Sequence, residues 1–64
     1  MTEQEAMQLI GMIAELSAQR PLSLARLSKQ SGRAMSTLLR QLAVLEGAGI
    51  VRRDGDRVSL IPAA

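Results

Sequence analysis

Ala6, Leu9, Ile10, Ile13 and Leu16 recur at the intervals that line one face of an α-helix, with Gln4, Gln8 and Glu15 on the opposite face. Upstream, Thr2-Glu3-Gln4-Glu5 has the form of a capping box, in which the Thr2 hydroxyl and the Glu5 carboxylate each satisfy a backbone N–H. Glu3 and Glu5 also complement the positive end of the helix dipole. Pro21 disfavours helical angles at the residue before it, so the pattern predicts a first helix over residues 3–19. Ser23 is the N-cap expected for a second helix, in which Leu24 and Leu27 turn inward and Arg26, Lys29 and Gln30 stay outside. Gly32 supplies the left-handed residue that closes it. Leu38, Leu42 and Leu45 then form the inward stripe of a third helix, running from Ala34 or Met35 to Leu45 or Glu46 (about 35–46), with Gly47 and Gly49 ending it.

Beyond Gly49 the period shortens. Ile50-Val51-Arg52-Arg53 and Arg57-Val58-Ser59-Leu60-Ile61 have the composition of strands, and Asp54-Gly55-Asp56 between them predicts a β-hairpin over 50–61. A lone hairpin is marginal in water, so it must lie on the helices, with Leu22 available as a short third strand. Two helices joined by a tight glycine-containing turn form a helix-turn-helix. The expected fold is therefore mainly α with a small β-hairpin. It is a winged helix-turn-helix with a three-helix core and a β wing, in one domain over residues 1–64.

Composition narrows the chemistry. The chain of 64 residues has no Phe, Tyr or Trp, so its core must be built from Leu, Ile, Val, Met and Ala. It has no Cys and no His, which removes disulfides, thiolate and imidazole metal ligands, and the usual general base near neutral pH. The few acidic residues outside the first helix form no acid–base or nucleophile constellation, and no glycine-rich phosphate loop follows a strand. The expectation is a non-enzymatic protein with no cofactor and no metal. No apolar run reaches the length of a membrane span. The acidic N-terminal segment is unlike a secretory signal, which points to the cytoplasm. Charge is distributed unevenly. Residues 1–19 hold three glutamates and no base, whereas residues 20–64 hold all eight Lys and Arg against three acids, a net +5. A positive field confined to one part of a small domain suggests a polyanionic partner, nucleic acid first.

Pro21-Leu22-Ser23-Leu24-Ala25-Arg26-Leu27, Ser31-Gly32 and the run from Ser36 to Val51 (Ser-Thr-Leu-Leu-Arg-Gln-Leu-Ala-Val-Leu-Glu-Gly-Ala-Gly-Ile-Val) resemble the DNA-binding domain of bacterial winged helix-turn-helix transcriptional regulators. The likeness is closest to the IclR-type N-terminal domain, with the MarR and ArsR groups nearby, and covers about residues 10–60. It implies that the third helix enters the major groove of double-stranded DNA and that the hairpin acts as the wing. It implies no metal sensing of the ArsR kind, since the ligands are missing. Two positions depart from the pattern: Arg33 stands where an apolar residue is usual, and Ala34 where Ser or Thr usually caps the helix. The expectation is that Ser36 takes over the cap.

Ser36, Arg40 and Ala43 lie opposite the leucine stripe, with Thr37 and Val44 to one side. Arg40 can bind a guanine edge bidentately or hold a phosphate, and Ser36 and Thr37 can do either more weakly. The same residues would also serve a solvated outer face. Leu39 suits the core edge better than a thymine methyl. Arg33 in the turn, and Arg26 and Lys29 on the second helix, are candidates for phosphate contacts as well as ordinary solvated cations. Arg52 and Arg53 should point to opposite faces, so that at most one contacts DNA well; Arg57 beside the turn is the strongest of the three. Met7, Gly11, Ala14 and Ala18 offer a flank through which the first helix could form a homodimer, although methionines also fill core gaps. None of these residues reads as an effector-sensing domain, so a small regulator or the DNA-binding part of a larger one is expected. The alternative is a winged-helix module that binds proteins without DNA.

Overall fold

The computed structural model describes residues 1–62, so the last two residues of the expected 1–64 domain lie outside the described part. Its elements are α1 (Glu3–Gln19), β1 (Leu22–Ser23), α2 (Leu24–Ser31), α3 (Met35–Gly47), β2 (Val51–Asp54) and β3 (Arg57–Leu60). Three helices and a three-stranded antiparallel sheet, ordered β1-β3-β2, make a mainly helical fold.

The first helix starts where its capping box requires. The Glu5 amide donates to Thr2 Oγ1 at 3.1 Å, and the Thr2 amide donates to Glu5 Oε1 at 3.2 Å. The hydrogen bonds from Thr2 favour the ionised carboxylate, which holds the Glu5 carboxyl below its ordinary value. Ser23 caps α2 by accepting from the Arg26 amide at 3.1 Å, and Gly32 closes that helix at φ 68°.

The ends of α3 differ from expectation. The helix begins at Met35 with Ala34 at the N-cap and no side-chain hydrogen bond, so Ser36 lies within the first turn and does not cap it. At the other end Gly47 lies inside the helix, and the turn falls at Gly49, whose φ is 75°. There the Ile50 amide donates to the Leu45 carbonyl and the Gly49 amide to the Glu46 carbonyl, both at 3.0 Å. This pair of bonds is a Schellman motif, and it folds Ile50 back toward Leu45.

The hairpin register also refines the sequence pattern. Asp54 pairs with Arg57, so the loop is Gly55-Asp56, with positive φ at Gly55 alone. Positive φ at the first central residue only is the signature of the II′ turn class, not of a turn centred on Asp54-Gly55. β1 adds to the outer side of β3, with Leu22 opposite Val58 and Ser23 opposite Arg57. The Leu24 amide donates to the Asp56 carbonyl at 2.7 Å, which ties the hairpin turn to the start of α2.

Every element contributes to one core: Leu9 and Ile13 from α1, Leu22 from β1, Leu27 from α2, Leu38, Leu42 and Leu45 from α3, Val51 from β2 and Val58 from β3. Ala6, Ile10, Met12, Leu16, Leu24, Ile50 and Leu60 pack around it. α1 lies against β3, α3 against β2, and α2 joins the two longer helices.

Arg26 fastens the corner where α1 gives way to β1. Its Nη1 donates to the Leu16 carbonyl at 3.4 Å and its Nη2 to Gln19 Oε1 at 3.1 Å. A cation at a helix C-terminus also opposes the negative end of the dipole, and α1 has no basic residue of its own in its last turn.

Two stability changes are expected. Leu27→Ala, at the one fully buried side chain of α2, should cost about 2–5 kcal/mol in urea unfolding. Arg26→Ala should cost about 1 kcal/mol in the same assay. A change below a few tenths of a kcal/mol at Arg26 would mean that its two hydrogen bonds do not hold the corner.

Candidate nucleic-acid interface

The outward side of α3 follows from its inward one. With Leu38, Leu42 and Leu45 buried, Ser36, Arg40 and Ala43 are brought out to solvent, and Thr37 and Leu39 are half-buried at the margins. Ser36 and Ala43 are small, so the surface around exposed Arg40, with its five donors, is low. Among the described residues neither ion pair involves Arg40. Met35 and Val44 extend the same exposed side with apolar surface, Val44 being 57% exposed.

The remaining expected cations divide into free and engaged. Lys29 is exposed on α2 and makes no side-chain hydrogen bond or ion pair among the described residues. Arg52 is likewise exposed and unpaired on β2. Arg53, which shares its strand face with buried Val51, instead meets Glu46 at the end of α3, Nε to Oε1 3.4 Å. Arg57 is held beside the hairpin turn by Asp56, at 3.8 Å, and by the Pro21 carbonyl, at 3.5 Å. Arg26 is occupied at the end of α1.

Arg33 is turned inward rather than displayed. Its carbonyl accepts from the Ser28 hydroxyl at 2.7 Å and its amide donates to Ser31 Oγ at 3.3 Å, which locks the α2–α3 turn. Its Nη1 is shielded from solvent and has no hydrogen-bond partner. Its charge reaches Glu5 on α1, where it adds to the downward shift of that carboxyl.

The residues expected to act together therefore separate into groups. Ser36, Thr37 and Arg40 share the first turns of α3 and Lys29 stands free on α2, while Arg26, Arg33, Arg53 and Arg57 are engaged or shielded within the protein. Interaction partners at long sequence separation, such as Pro21 for Arg57, leave no periodic trace in the chain. The opposite facing of Arg52 and Arg53 was legible from strand alternation; which of the two Glu46 would engage was not.

Beside this face lies a groove of about 330 Å³, lined by Met1, Glu5, Thr37, Arg40, Gln41 and Val44. Gln41 is only 8% exposed, and its Oε1 is buried without a partner. No periodic signal marks it in the sequence, since a glutamine one residue before Leu42 fits a solvated helix flank equally well. Among the described residues no group of three His, Cys, Asp or Glu could hold a metal ion, and no helix is long and apolar enough to cross a membrane.

Neither the curated proteins nor the solved structures contain a match to this chain. A family model does match, over residues 3–63, and so takes in all three helices and all three strands. The chain belongs to the HVO_A0114 family.

Proposed function

We propose that the chain is a winged helix-turn-helix domain that binds double-stranded DNA as a transcriptional regulator, acting by recognition rather than catalysis. The observation that carries this is the outward face of α3, where unpaired Arg40 stands between small Ser36 and Ala43. A low helix face lets the backbone approach the floor of the major groove, and a free guanidinium there matches the paired acceptors of guanine. Ser36 and Thr37 add weaker polar contacts. Lys29 and Arg52 supply phosphate contacts from α2 and the hairpin. Of the hairpin arginines Arg52 takes precedence over Arg53 in this role, because Arg53 is paired with Glu46. Arg57 is 58% exposed despite its contacts and can still turn to a phosphate. Such a protein works in the cytoplasm, where the DNA is.

Regulators of this kind usually read two half-sites as dimers. The flank of α1 proposed to pair comprises Met7, which is 66% exposed, and exposed Gly11, Ala14 and Ala18. A Cβ added at Gly11 would meet nothing within 4 Å in the single chain. A second reading, an adaptor that binds proteins, is favoured by the exposed apolar surface of Met35 and Val44 on α3.

Fluorescence anisotropy on a random-sequence duplex tests the DNA-binding reading. Log K should fall linearly with log salt, at a slope of about −0.9 per phosphate contact. Arg40→Ala should weaken binding by about 1–3 kcal/mol, and Lys29→Ala should lower the slope by about one. Arg53→Ala should change little. Absence of binding at low salt would reject DNA recognition, and salt-insensitive capture of a protein that depends on Val44 would favour the adaptor.

The dimer has a separate test in light scattering coupled to size exclusion. Gly11→Glu should leave the monomer fold intact and abolish a dimer if α1 forms the interface. An unchanged dimer would place the contact elsewhere.

A further inference from the structure

The side of α1 opposite buried Leu9 and Ile13 is covered by nothing in the described chain. Met7, Gly11, Ala14 and Ala18 recur there at helical spacing, form one row along the axis and are all exposed. Met7 is the one large side chain of the row and is 66% exposed. Beyond the two ends of the row stand Glu3, in the first turn, and Arg20, at the C-cap. Both are exposed, and neither belongs to an ion pair among the described residues.

The order of sizes and charges along this face decides how a second copy fits it. A parallel pair of α1 helices sets like against like: Met7 meets Met7, the two Glu3 carboxylates gather at one end and the two Arg20 guanidinium groups at the other. An antiparallel pair turns about a dyad between Met12 and Ile13, which sets Met7 beside Ala18 of the second copy and Gly11 beside its Ala14. The large side chain then lies against a small one at both ends, and the small residues at the centre allow the backbones to come close. At 1.5 Å per residue, Glu3 and Arg20 of the second copy differ in level by about 3 Å, which two long side chains can span. The two helix dipoles also run in opposite directions.

We propose that a second copy of this chain covers the outer side of α1 in this antiparallel register, with a Glu3–Arg20 ion pair at each end. The inference deepens the α1 dimer proposed above and rests on it; DNA binding is not required for it. A helix of 17 residues is about 25 Å long, and one such pair covers less than the roughly 800 Å² per partner of a standard interface. The free dimer is therefore weak and grows with protein concentration. Its dyad also relates the two α3 helices, so a duplex that engages both carries an inverted repeat.

Disulfide trapping reads the register directly, because the chain has no cysteine of its own. Met7→Cys and Ala18→Cys, both at exposed positions, are made separately in the full chain, one of them isotope-labelled, and oxidised alone and mixed at high micromolar concentration. The mixed disulfide between the two variants is expected in the mixture, and little product from either variant alone. Met7→Cys linking efficiently to itself would overturn the antiparallel register while leaving an α1 dimer. A dimer in light scattering that gives no link between any of these positions, or a chain that stays monomeric throughout, would reject the α1 interface itself. Neither result bears on DNA affinity, which anisotropy reads separately.

The ion pairs have their own readout in sedimentation equilibrium at low salt. Glu3→Arg and Arg20→Glu should each weaken the dimer at least roughly fivefold, with a smaller effect at high salt. Both substitutions in one chain should restore it, an outcome that mere loss of helix-end charge would not give. A double variant weaker than either single one would overturn the pairing of Glu3 with Arg20.

Discussion

The constraint on which the whole molecule depends is that a short chain must close a core with no aromatic ring. A domain of this size buries only about 60% of the surface its unfolded chain exposes, so small aliphatic side chains must be used efficiently. The solution draws at least one fully or nearly fully buried Leu, Ile or Val from each of the six elements. No element is dispensable under that arrangement. Even the two-residue strand β1 inserts Leu22, which is as deeply buried as Val51 and Val58 on the two hairpin strands. Because the core alone is thin, its boundary is fastened by polar contacts: the Thr2–Glu5 box, the Ser23 cap, the Arg26 clasp and the Leu24–Asp56 bond.

That fastening explains how the arginines are shared out. An isolated surface ion pair contributes little, about 0–1 kcal/mol, but a guanidinium that reaches a helix-end carbonyl or a strand-end carbonyl joins segments distant in the chain. Arg26 and Arg57 do this around the segment from Leu16 to Pro21, whereas Arg33 holds the turn between α2 and α3 through its backbone rather than its guanidinium. What remains free for a partner among the described residues is smaller than the charge count suggests: Arg40 on α3, Lys29 on α2, Arg52 on β2 and Arg20 at the end of α1. The electrostatic asymmetry of the sequence is real, yet much of it serves the fold.

Helix one, with its capping box, the Ser23 cap, the left-handed Gly32 and the inward leucines of α3 were all legible in the sequence, because each depends on residues within one or two turns of each other. The same holds for the hairpin, whereas the short strand at Leu22 was available by composition but is fixed by a partner distant in the chain. The misjudged details depend on competition between neighbouring options. Ser36 would have capped a helix that started later, but Met35 already enters the helix behind Ala34. Gly47 and Gly49 both suited a terminus, and the Schellman bonds select Gly49 because only it adopts positive φ. At the candidate site the face bearing Ser36 and Arg40 could be read from periodicity. The inward turn of Arg33, the Glu46 partner of Arg53 and the burial of Gln41 are set by tertiary contacts that a helical pattern does not encode.

The placement of β1 has a consequence for how the chain reaches this structure. β2 and β3 are neighbours joined by a two-residue loop, so their ladder closes locally. β1 pairs with β3 across the whole of α2, α3 and β2 in sequence, with Leu22 opposite Val58. Local closure is entropically cheap and fast, whereas a contact across most of the chain must wait for the intervening segments to become compact. The third strand thus carries the largest closure cost in the sheet, and beside it the Leu24–Asp56 bond fastens the hairpin turn to the start of α2.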